Sequence, residues 1–142
     1  MIAPRAVVRS PWVLTYESTS RAPADDVWPL MAEPARWSRW APHIRGAWGL
    51  GAPEVQVGRL GLVRLLGAPV VPARITRKRA GREWAWRVGP VELTHRVEAQ
   101  RGGGSLVAVD ISAPPRIEAA LKATYGPLVQ LLVRRLGRVA ER

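Results

Sequence analysis

The sequence predicts an α+β domain in which a long antiparallel sheet curls around one helix near the C-terminus. Three observations carry that prediction. From Trp12 to Ser112 most segments alternate with a period of two, the pattern of strands that bury one face. Two short helical segments interrupt the series after its first strand. From about Pro115 to Glu141 apolar residues recur instead at steps of three and four, which puts them on one side of an amphipathic helix. A run of strands followed by one such helix is an α+β order, and the sheet can bury its apolar face only by wrapping that helix.

Residues 1–11 carry Pro4 and Pro11 without a clear period and read as a loose N-terminal arm. The first strand follows, with Trp12, Leu14, Tyr16, Ser18 and Ser20 on one face. Ala22-Pro23 ends it, and Ala24–Met31 reads as a short helix whose Asp25 and Asp26 suit the positive first turn. A second helical turn covers Pro34–Trp37. Ile44, Trp48 and Leu50 suggest a strand, and Gly58–Leu66 another, with Gly51-Ala-Pro53 turning between them. Val70–Arg77 is a third, where Pro69 and Pro72 argue for an edge or a bulge. Glu83–Val88, Val91–Gln100 and Leu106–Ser112 complete the series, joined by turns at Gly89-Pro90 and Gly102-Gly-Gly104. A glycine run that cradles phosphate is followed by a helix, whereas a strand follows here, so a hairpin is the reading. In the long helix Gly126-Pro127 predicts a kink, because proline lacks the N–H that would reach Ala123.

At 142 residues the chain fits one domain, 1–142, with a real core. The absence of cysteine excludes disulfide scaffolds, thiolate metal sites and cysteine nucleophiles. With no run near the ~18 apolar residues of a membrane span and no apolar leader, the expectation is a cytoplasmic protein. The net charge of +11 invites a nucleic-acid partner. Yet 20 of the 22 basic residues are Arg, alongside abundant Ala, Gly, Pro and Val and no Phe, which is the composition of a GC-rich coding sequence. The densest cluster, Arg74, Arg77, Lys78, Arg79 and Arg82, straddles a hairpin turn at Ala80-Gly81 and reads as a solvated loop, so nucleic acid ranks last among the partners. No carboxylate has ligand spacing to His43 or His95, so neither a metal nor a cofactor is expected.

Several stretches together resemble the polyketide cyclase/dehydrase-like branch of the SRPBCC (START-related) superfamily. They are Ser20-Arg-Ala-Pro23, Val27-Trp28, Trp37-Ser-Arg-Trp40-Ala-Pro42, Trp84-Ala-Trp86, and His95-Arg-Val-Glu98 ahead of Gly102-Gly-Gly-Ser105. Each is weak alone; their order over nearly the whole chain is specific. The resemblance implies a helix-grip fold, with about seven antiparallel strands around the C-terminal helix and two short helices after strand one. It also implies a deep apolar cavity between sheet and helix for lipids, polyketides or other hydrophobic small molecules.

On that expectation the sheet side of the cavity carries Tyr16, Trp48, Trp84, Trp86, Leu93, His95, Val97, Val107 and Val109, and the helix adds Ile117, Leu121, Thr124 and Tyr125. Leu132, Leu136 and Val139 are expected in packed core. An inward aromatic stripe is equally the make-up of a plain core, and His95 reads either as a core histidine or as a ligand contact. His95, Tyr16 and Arg135 are the acid/base and oxyanion candidates, with Arg135 placed inside the apolar arc by its phase from Ile117. Its long stem favours snorkelling past the end of the sheet, and otherwise it could hold an anionic head group. The leading function is a carrier or sensor of a hydrophobic small molecule, as in lipid transport; a polyketide cyclase, aromatase or dehydratase is the alternative, and oligomeric state is not legible.

Overall fold

The computed structural model describes residues 6–10, 13–65, 70–124 and 126–142, without the side chains of 6–10, 118 and 121–124. Eight antiparallel strands form one sheet: β1 (Ala6–Ser10), β2 (Val13–Ser20), β3 (Ile44–Trp48), β4 (Leu60–Leu65), β5 (Val70–Arg79), β6 (Glu83–Val88), β7 (Val91–Ala99) and β8 (Ser105–Ser112). Their spatial order is β1-β2-β8-β7-β6-β5-β4-β3. Between β2 and β3 lie α1 (Ala24–Ala32) and a 3₁₀ helix (Pro34–Arg39). After β8 come α2 (Pro115–Thr124) and α3 (Gly126–Ala140), so the helix-grip arrangement is as expected. The kink expected at Gly126-Pro127 adjoins residue 125, outside the described residues.

Three details differ from the sequence reading. Residues 6–10 are not a loose arm: Ala6 pairs with Tyr16 and Val8 with Leu14, so the short β-branched run takes up the free edge of β2. The strand containing Pro72 is not an edge, since β5 lies between β4 and β6; its bulge falls between Ile75 and Arg77 instead. The edge on that side of the sheet is β3, which carries a bulge of its own between Ile44 and Gly46.

The two faces of the sheet divide the chemistry. On the inner face of β6, β7 and β8 stand Trp84, Trp86, Leu93, His95, Val97, Val107, Val109 and Ile111, while the outer face gathers charge. There Arg96 holds Asp110 at 2.8 Å, and Thr15 Oγ1 donates to the same carboxylate at 2.6 Å. The basic hairpin is neutralised in part: Arg77 lies 3.3 Å from Glu83 and 3.6 Å from Glu92, and Lys78 lies 2.9 Å from Glu54.

Helix α3 is amphipathic, burying Val129, Leu132, Val133, Leu136 and Val139, and it packs on β2 and β8. Two glycines set how closely it sits. A methyl group on Gly126 would collide with the hydroxyl of Tyr16, and one on Gly137 would meet Ser20 Cβ at 3.1 Å. Ser20 Oγ also donates to the Gly137 carbonyl at 2.8 Å, and the Arg21 N–H donates to Glu141 at 2.7 Å. No helix among the described residues is long and apolar enough to cross a membrane.

Candidate functional site

Between the inner face of the sheet and α3 lies a cavity of about 280 Å³, just below the range of about 300–1,000 Å³ usual for small-molecule sites. Its floor comes from Trp86 and Val88 of β6, Val91, Leu93 and His95 of β7, and Val107, Val109 and Ile111 of β8. Its roof is Val129, Leu132, Val133 and Leu136 of α3. Met31 of α1, the Trp40–Ile44 segment, Val63 and Leu65 of β4 and Val71 of β5 close the sides. Period-two strands supply the floor and a three-to-four period supplies the roof, so each wall is the buried face of an amphipathic element.

An aromatic block borders this space. Trp37 and Trp84 stack at 5.6 Å with their planes 11° apart, and Trp84 stacks on His95 at 4.0 Å. Trp86 meets Trp37, Trp84 and His95 edge-on, at 5.4, 5.3 and 5.7 Å. Trp37 Nε1 and Trp84 Nε1 both donate to the Met31 carbonyl, at 2.9 and 3.0 Å, and Trp40 Nε1 donates to the Leu30 carbonyl at 2.7 Å. Trp28 Nε1 donates to Glu54 at 2.9 Å. Trp86 Nε1 differs: it is buried and has no partner among the described residues, and the same holds for His95 Nδ1 and His43 Nδ1. All three belong to residues that line the cavity. A buried polar group without a partner costs about 1–3 kcal/mol, so native proteins keep few of them.

Burial pushes the His95 imidazole down to about 4, against the opposing pull of a backbone contact with Trp84 and the charge of Asp110. At neutral pH it is therefore uncharged. His43 is lowered in the same direction by burial. Asp110 stands on the other face of the sheet in the grip of Arg96, so it does not orient His95 as a carboxylate orients a catalytic histidine.

Of the residues expected at the site, Trp86, Leu93, His95, Val107 and Val109 line the cavity. Trp84 and Val97 are buried beside it as packing, and Tyr16 is buried beneath Gly126. Trp48 faces away: it is 51% exposed, with the Arg64 guanidinium 5.8 Å from its ring centre. The β3 bulge explains this, since one extra residue reverses the alternation between Ile44, which lines the cavity, and Trp48, which pairs with exposed Leu62. Arg135 is exposed alongside Leu131 and Arg138, because α3 keeps the phase of its own residues rather than the one carried from Ile117. Ile117 is half-buried and does not line the cavity. Leu121 and Thr124, by their side chains, and Tyr125 altogether lie outside the described residues. Leu132 and Leu136, expected in packed core, form the roof instead, while Val139 is buried as expected. Sequence reasoning missed Met31, Trp40, Ala41, His43 and Ile44. The signal was the tryptophan-rich stretch Trp37–Pro42, which the resemblance used but which has no period from which to infer direction.

The comparisons agree with this architecture. Residues 11–141 match a family described as polyketide cyclase/dehydrase and lipid transport. A protein from Rhodobacter sphaeroides superposes with a TM-score of 0.75 at 14% identity, covering 97% of this chain and 98% of that one. A START superfamily protein from Mycobacterium smegmatis gives 0.67 at 12%, covering 90% and 99%. DynU16, a putative protein in the dynemicin biosynthetic locus, gives 0.69 at 20%, covering 91% of this chain and 47% of that one, so the match spans about half of that protein. At these identities the likenesses concern the fold. No curated protein sequence matches the chain.

Proposed function

The chain belongs to the polyketide cyclase/dehydrase and lipid transport family, within the SRPBCC superfamily, and on that premise we propose that it binds a hydrophobic small molecule between the sheet and α3, as a carrier or sensor. The observation that carries this reading is the lining itself: an apolar space of about 280 Å³ into which the described residues bring no carboxylate and no Lys or Arg, with unpartnered nitrogens on its walls. A space of this kind gains free energy by taking in an apolar guest, at roughly 25 cal/mol per Å² of surface removed from water. Acid/base catalysis has less behind it. His95 is a weak base with no orienting carboxylate on its own face, Tyr16 lies under α3, and Arg135 is in solvent.

Native mass spectrometry of the purified protein tests the proposal. A non-covalent mass that leaves on denaturation, or uptake of an environment-sensitive naphthalene dye that vanishes when Leu132 is replaced by Arg, is the expected result. Absence of both a co-purified mass and dye uptake would overturn it.

A further inference from the structure

We propose that the cavity selects uncharged ligands that present a hydrogen-bond acceptor, a carbonyl above all, to the indole N–H of Trp86; this rests on the ligand-binding reading above. Trp28, Trp37, Trp40 and Trp84 each give their N–H to an oxygen of the protein. Trp86 does so to none among the described residues, although its nitrogen is as thoroughly buried. An indole N–H can only donate, so the group that satisfies it must accept. The His95 ring centre is 5.7 Å away and its Nδ1 is also unpartnered among the described residues. A neutral imidazole offers one donor and one acceptor, so His95 can complete the same contact or take a neighbouring hydroxyl.

The charge requirement follows from what is missing around this pair. The described lining contains no Lys or Arg; of the cations on β6 and β7, Arg87 is exposed on the outer face and Arg96 is on that same face, bound to Asp110. An ionised carboxylate entering here would leave its water without gaining a counter-ion, which is strongly unfavourable. The site is therefore built for compact ketones, quinones or lactones and against fatty-acid anions. The tryptophan edges and valine walls suit a flat ring system.

Three naphthalene probes, small enough for a cavity of about 280 Å³, separate these features by titration calorimetry on the full chain at neutral pH. They are 2-acetylnaphthalene, its hydrocarbon isostere 2-isopropenylnaphthalene, and 2-naphthoate. The ketone should bind roughly three- to tenfold more tightly than the hydrocarbon, the ratio of one net hydrogen bond. Naphthoate should bind at least tenfold more weakly than the ketone. Trp86→Phe should abolish the ketone's advantage over the hydrocarbon when both are measured on that variant. Equal binding of ketone and hydrocarbon, naphthoate binding as tightly as the ketone, or a ketone advantage that survives Trp86→Phe would each overturn the inference and leave the cavity reading standing. Binding of none of the three would overturn both. The comparison on the unsubstituted protein decides the matter even where the variant does not fold.

Discussion

Trp84 and Trp86 stand two residues apart on one face of β6, and they belong to two kinds of interior. Trp84 is sandwiched between Trp37 and His95, and its N–H shares the Met31 carbonyl with that of Trp37. Every polar and apolar surface it has is used. Trp86 meets the same rings by its edge, lines the cavity and has an N–H without a partner among the described residues. One indole is closed within the protein, while the other is left open toward whatever enters. The difference shows that residue type and face do not separate core from site; satisfaction of the polar atom does.

The strongest way to break this comparison is truncation. Trp84→Ala should cost about 3–5 kcal/mol in urea unfolding, as expected for emptying a filled aromatic position. Trp86→Ala should cost roughly 2 kcal/mol or less, because part of its surface already faces a void and its N–H has nothing to lose. Equal losses at the two positions would erase the distinction. Next in size is acid sensitivity. His95 has its folded pKa pushed down to about 4, below the ordinary 6.5, so the unfolded chain takes up the proton first. Stability is therefore full above pH 6.5 and falls as the pH drops toward 4, by about 3 kcal/mol across that window. His95→Leu should flatten the slope there, and a slope unchanged by that substitution would assign it elsewhere. The smallest effect concerns the void itself. Val133→Leu adds one methylene to the roof and should raise stability by about 1 kcal/mol while weakening dye uptake. A loss of stability would mean that the cavity has no room beside Val133.

The parity of β6, β7 and β8 was legible because nothing interrupts their alternation, and it put Trp86, Leu93, His95, Val107 and Val109 on the inner face, where they line the cavity. Where a device resets the count, the reading failed. The extra residue in β3 turned Trp48 outward. Phase carried from Ile117 across residue 125 placed Arg135 inward, and the expected bend at Gly126-Pro127 assigned the second half of the helix, with Leu132 and Leu136, to packed core, whereas α3 presents both leucines to the cavity. The 3₁₀ helix and the segment after it, which supply Trp40 and His43, have no period to extrapolate. Nor does periodicity distinguish Trp84 from Trp86, since their difference depends on the Met31 carbonyl, 53 residues upstream of Trp84.

The seating of α3 on β2 has a consequence for how such a space can change size. Gly126 and Gly137 bring the helix against Tyr16 and Ser20 at two points, where a side chain would crowd them. The helix is thus seated closely along one margin. Val63, Leu65, Val71 and the Trp40–Ile44 segment line the same chamber without taking part in that seating, like the fore-edge of a book held at its spine. Substitutions along that fore-edge can resize the chamber while the spine stays bound.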